Sequence, residues 1–248
     1  MKQRRSDPSR ASKTTVSADP KLVAELVVAN RILFAHGVVD AFGHVSARHD
    51  KRPDRFLLAR NMAPALVTPA DLLEFDLDGN PISPGDRSVY LERFIHAEAY
   101  RARADVMAVV HSHSPAVVPF GVASGVPLRA IWHMSAFIGE GAPVFEIRSA
   151  AGNGSDLLIR DGALGAALAS SLGSHCVVLM RGHGATVVGA SVREAVFRAV
   201  YTEINAKLQL EALRFGSITY LTPEESVAAA RSVGGQINRA WDLWRAHC

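Results

Sequence analysis

Cysteine is almost missing from this 248-residue chain, with Cys176 and Cys248 the only two. Two thiols cannot staple a small fold, so a disulfide scaffold is excluded and a reducing, cytoplasmic location is expected. Charge of one sign is also scarce: 27 Lys and Arg stand against 24 Asp and Glu. Much of the basic excess sits at the start, where Lys2, Arg4, Arg5, Arg10 and Lys13 face Asp7 alone. Aromatics make up 7% and no basic stripe is interleaved with them, which argues against a nucleic-acid partner. Long apolar runs are lacking too. The basic N-terminus has no apolar stretch behind it and does not read as a secretory signal. Residues 106–128 carry no Lys, Arg, Asp or Glu, but two histidines, three prolines and two glycines break the run. No membrane span is expected.

What is present is an alternation of helix and strand patterns. Residues 1–19 read as a disordered arm. Residues 20–248 read as a single α/β domain, with no internal repeat and no long linker. Asp19-Pro20 offers an N-cap and a first-turn proline to a helix through Ala35, which Gly37 stops. Strands are expected over 42–48, 55–59, 75–77, 106–111, 144–147 and 176–180, and helices over 89–103 and 161–172. Ser191 with Glu194 and Thr222 with Glu225 fit capping boxes, so two helices are expected to close the chain. With no simple βαβ repeat, the expected architecture is a central, mostly antiparallel sheet with helices on its faces.

Three local signals bear on chemistry. His111 and His113 lie two apart at a strand end, so both imidazoles can face one cation. Arg181-Gly182-His183-Gly184 follows a strand, and its glycines allow close backbone approach while leaving the imidazole free to project. Glu92 opens a helix that leads into the histidine strand. Each has a plainer reading alone: a solvated strand face, a glycine turn, a glutamate favoured by the helix dipole. Together, three imidazoles and a carboxylate form a set suited to a divalent transition metal with open positions. His96 shares a helix face with Glu92 and is a candidate neighbour of the site. His36, His49, His175 and His247 read as structural or solvated.

These elements resemble the class II aldolase/adducin family. Gly43-His44-Val45-Ser46-Ala47-Arg48, Glu92, His111-Ser112-His113 and Arg181-Gly182-His183-Gly184 occur in the family's order over roughly residues 20–215. The resemblance implies the class II aldolase fold, a divalent metal on His111, His113 and His183, and Glu92 as catalytic acid/base. It also implies a homotetramer with active sites between subunits. Sugar-phosphate members hold phosphate through an Asn, a Thr-Pro-Ser/Thr-Gly turn and a serine pair. Here His44, Ala70-Asp71 and Tyr90-Leu91 occupy those places, so a phosphorylated sugar is not expected. Fuculose-phosphate aldolases carry a proton-donating tyrosine where this chain has His133, and a histidine can do that work nearer neutral pH.

The substitutions resemble a decarboxylase branch acting on hydroxylated aromatic or pyridine carboxylates, such as 3,4-dihydroxyphthalate or 3-hydroxy-2-methylpyridine-4,5-dicarboxylate. The resemblance implies metal-dependent loss of carbon dioxide, with manganese favoured over zinc, iron or cobalt. Glu92 and His133 are then the catalytic pair, and His44 and Arg48 the substrate-binding residues. An aldolase for a non-phosphorylated hydroxy-oxo acid is the alternative. A cupin would need a glutamate soon after the histidine pair, which residues 114–119 do not supply.

Overall fold

In the computed structural model, which describes residues 16–248, eight strands form one sheet, framed by eight helices and three short 3-10 turns. The strands are β1 (His44–Arg48), β2 (Arg55–Ala59), β3 (Leu72–Asp76), β4 (Pro81–Ile82), β5 (Ala108–Ser112), β6 (Val144–Phe145), β7 (Val177–Met180) and β8 (Gly184–Gly189). Their order across the sheet is β4-β3-β2-β1-β5-β8-β7-β6, and every pairing is antiparallel except β6 with β7. The expected mostly antiparallel sheet is therefore present.

Helices α1 (Pro20–Ala35), α2 (Arg93–Ala102), α3 (Val118–Val122), α4 (Arg148–Ala151) and α5 (Gly162–Leu172) interleave with the strands. Helices α6 (Val192–Leu213), α7 (Pro223–Gly234) and α8 (Ile237–Arg245) close the chain, one more than the two capping boxes foretold. Every residue of β1, β5, β7 and β8 is buried, because helices cover the sheet's middle on both faces. α2 lies over the face that carries His44 and Ser46, while α1 and α6 pack together along the other. No helix among the described residues is long and apolar enough to cross a membrane.

Several boundaries differ from expectation. Helix α2 starts at Arg93 rather than 89, which leaves Glu92 at the N-cap position. The strand expected at 75–77 runs from Leu72 to Asp76, and β8 was not foreseen, although its Ala185-Thr186-Val187-Val188 run is rich in β-branched residues. Of the expected N-terminal arm, residues 1–15 lie outside the described residues. Its last four pack on the sheet: Ala18 is buried, and Ser17 bonds Glu74 and His49.

Candidate metal centre

Strand pairing brings distant residues together. The end of β5 lies beside the start of β8, with Ser112 opposite Ala185. His111, on β5, and His113, just past it, therefore meet His183 in the turn between β7 and β8. That turn depends on its glycines. Gly182 has φ +67, and a Cβ on Gly184 would come within 2.0 Å of the Ser112 carbonyl oxygen. The glycines flanking His183 thus let its backbone lie against the strand that carries the other two histidines.

His113 Nε2 stands 3.2 Å from His111 Nε2 and 2.9 Å from His183 Nε2. Glu92 Oε2 is 3.6 Å from His111 Nε2 and 3.5 Å from His183 Nε2, and all four donor atoms lie within 4.8 Å of one another. Metal–nitrogen bonds of about 2.0–2.1 Å in a tetrahedral site put neighbouring ligand atoms about 3.3 Å apart. Separations of 2.9–3.6 Å bracket that value, so the donor set fits one divalent cation.

The loop between α4 and α5 supports this set from behind. His183 Nδ1–H donates to the Leu157 carbonyl at 2.8 Å, which leaves Nε2 bare as a ligand. Glu92 Oε1 accepts from the Ile159 amide at 2.9 Å, so its other oxygen faces the imidazoles. Leu157 itself has φ +70, a conformation that costs a leucine on the order of 1 kcal/mol. The strain falls on the residue that orients a ligand. Nothing in the sequence marked residues 157–159 for this role.

The electrostatics follow from the contacts within the cluster. Burial alone would raise the Glu92 pKa, but contact with His111 and His183 outweighs it and holds the carboxyl far below the ordinary carboxylate range. Burial pushes His113 down to about 4, helped by the neighbouring rings, and burial also lowers His111. Burial would lower His183 as well, but its contact with Glu92 outweighs burial and raises it. Ligation, which needs an ionised carboxylate and neutral imidazoles, must therefore displace a proton favoured on that ring.

The remaining candidates separate. His44 sits opposite His111 in the sheet, its ring 5.0 Å from the His111 ring and 4.6 Å from Tyr90. His96 is fully buried behind it, with Nε2 2.6 Å from His44 Nδ1 and Nδ1 2.6 Å from Ser46 Oγ. Burial drives His96 down to about 3 and His44 well below its usual value.

Arg48 does not fit the expected substrate-binding role. Its guanidinium donates to the carbonyls of Val106 (3.0 Å), Pro53 (2.7 Å), Tyr100 (2.7 Å) and Arg103 (2.9 Å) and lies over the Tyr100 ring. With its donors consumed by backbone, it is a structural clamp. His133 is exposed and does not join the metal cluster within one chain. It lines a groove of about 450 Å³ with Met134, Tyr201, Arg239 and Trp244. Asp71 is engaged by Arg60 at 2.7 Å and caps Thr68, so its charge is compensated. Phe42, unmarked by the sequence, is 65% exposed with its ring 6.3 Å from that of His113.

Residues 24–210 match the family described as the class II aldolase and adducin N-terminal domain. The chain belongs to the class II aldolase and adducin family. Among family relatives it is 38% identical to decarboxylase tropJ of Talaromyces stipitatus, over 86% of this chain and 88% of that one. It is 35% identical to the 3,4-dihydroxyphthalate decarboxylase of a Terrabacter species, over 91% of this chain and 95% of that one. Its fold is similar to that of L-fuculose 1-phosphate aldolase from Glaciozyma antarctica (TM-score 0.74, 22% identity, 91% and 89% of the two chains). This member of the family is an enzyme of the lyase class, with carboxy-lyases among its full-length relatives.

Proposed function

We propose that the chain decarboxylates an ortho-hydroxy aromatic or pyridine carboxylate, using a divalent metal held by His111, His113 and His183. The observation that carries this reading is the convergence of Glu92 with the three imidazoles, in a chain similar along nearly its whole length to decarboxylases. Manganese is the favoured ion by family likeness, and imidazole also suits zinc, iron and cobalt. A cation held by these residues would supply Lewis acidity to the substrate's oxygens.

The chain's own residues do the proton chemistry. Glu92 is ionised and takes the proton of the ring hydroxyl. A proton is then delivered to the carbon bearing the carboxylate, giving the keto tautomer, which is a β-keto acid. The carbon–carbon bond breaks as carbon dioxide leaves, and its electrons restore the aromatic ring. The proton consumed comes in the end from water. General acid/base help of this kind contributes about 10²- to 10⁴-fold. His44 offers a neutral imidazole to a substrate oxygen, and the exposed face of Phe42 beside His113 supplies an apolar wall suited to a flat ring.

His133 lies in its own groove, so its part in catalysis requires a neighbouring subunit. We propose a homotetramer with shared sites in which His133 serves as proton donor. Two free cysteines fit a reducing compartment, and we place the enzyme in the cytoplasm. The test is carbon dioxide release from a panel of ortho-hydroxy aromatic dicarboxylates with manganese present. Release of pyruvate or an aldehyde from hydroxy-oxo acids, with no carbon dioxide from the panel, would replace this reading with the aldolase one.

A further inference from the structure

Behind the metal ligands a chain of hydrogen bonds runs into the core. Tyr100 Oη lies 2.7 Å from Ser46 Oγ, Ser46 Oγ 2.6 Å from His96 Nδ1, and His96 Nε2 2.6 Å from His44 Nδ1. Glu92, His96 and Tyr100 recur every four residues, which puts them on one stripe facing the sheet. All the links are buried.

The direction of the chain follows from satisfying its buried end. The Tyr100 hydroxyl is buried, with Ser46 Oγ as its hydrogen-bond partner. The phenolic proton must therefore find an acceptor, and Ser46 Oγ is the one within reach among the described residues. Ser46, having accepted, donates to His96 Nδ1. A neutral His96 then carries its proton on Nε2 and donates to His44 Nδ1. The reverse direction would strand the buried tyrosine proton, which folded proteins avoid.

We propose that Tyr100, Ser46 and His96 are positioning residues that lock His44 with its proton on Nε2. His44 then meets the substrate as a hydrogen-bond donor and never as an acceptor. The use made of that donor rests on the decarboxylase reading above; the locked tautomer does not. An imidazole's two nitrogens face away from each other, so Nε2–H is the free end of the chain, on the ring that packs against His111.

The experiment is nitrogen-15 NMR of histidine-labelled full-length protein loaded with zinc, assigned with His44→Gln and His96→Phe variants. His44 should show a single Nε2-protonated tautomer in the wild type and a mixture in His96→Phe. Should His96→Phe not fold, Ser46→Ala breaks the same chain one link further and should give the same mixture. A wild-type His44 protonated on Nδ1, or a tautomer unmoved by breaking the chain, would overturn the proposal.

A kinetic arm uses any panel substrate that the wild type turns over. His96→Phe should lower kcat at least tenfold, since losing one well-placed donor costs about 10²–10³. In a His44→Gln background, whose amide donates without a tautomer, the same change should cost about twofold or less. Equal losses in both backgrounds would mean a merely structural His96. If no panel member is turned over while the tautomer is as stated, the decarboxylase reading fails and the locked His44 stands.

Discussion

The His111 ring packs against two groups of imidazoles whose second nitrogens meet different partners. His113 and His183 lie 5.0 and 4.9 Å from it, ring to ring, with their Nε2 atoms gathered at one point. His44 lies 5.0 Å from it, with His96 behind, and both nitrogens of His96 are taken by hydrogen bonds. Residue type does not distinguish the groups, although His113 and His183 are half-buried while His44 and His96 are buried. In the first group the Leu157 carbonyl takes the far nitrogen of His183 and leaves the near one bare, whereas in the second His96 spends both nitrogens inside the fold. An imidazole with both nitrogens bonded within the fold cannot ligate a metal.

The sharpest way to break this contrast is His113→Ala. It removes the ring whose Nε2 touches both other ligands, and should abolish metal retention and turnover together. Elemental analysis and carbon dioxide release check it, and normal activity in the metal-stripped variant would end the metal scheme. Glu92→Gln keeps a carbonyl for the Ile159 amide but removes the charge. Turnover should fall by about 10²–10⁴, with weaker metal binding seen by titration calorimetry.

On the sealed side, Arg48→Met strands four carbonyls and should cost about 3 kcal/mol of stability in urea unfolding. Its metal content should not change; loss of metal would mean that the two regions are less separate than they look. The metal-free protein should also weaken in acid. His96 and His113 have lowered values when folded, so the unfolded chain takes up their protons first. Their contribution is complete above about pH 6.5 and is lost as pH falls toward 4 and 3. At pH 5 His96 alone accounts for about 2 kcal/mol. A flat melting temperature between pH 7 and 5 would contradict this. The smallest effect expected is that of His133→Phe, with metal and stability kept and turnover slowed roughly tenfold. Unchanged turnover would remove His133 from the mechanism.

The members of the histidine–glutamate cluster were legible in sequence because their spacing is local or their motif is distinctive. His111 and His113 share a strand face, and the glycines around His183 announce a close approach. Arg48 was misread because sequence shows a charge but not the carbonyls that surround it. His96 stood undecided between core and site, since the i to i+4 step from Glu92 gives a face without saying what meets it. The Leu157–Ile159 support left no signal at all. Backbone amides and carbonyls act there, and their direction is not written in side-chain chemistry.

The sequence by itself determined the helix caps, the alternation of elements, the antiparallel character of the sheet and which four residues offer donor atoms to the cluster. All of these depend on short-range periodicity and on residue chemistry. Only the tertiary structure decided that β8 pairs with β5 and so brings His183 to His111, which nitrogen of each ring is free, and which loop holds Glu92. Those outcomes depend on contacts between residues as many as 81 positions apart, where pairing register and backbone direction fix each atom's partner.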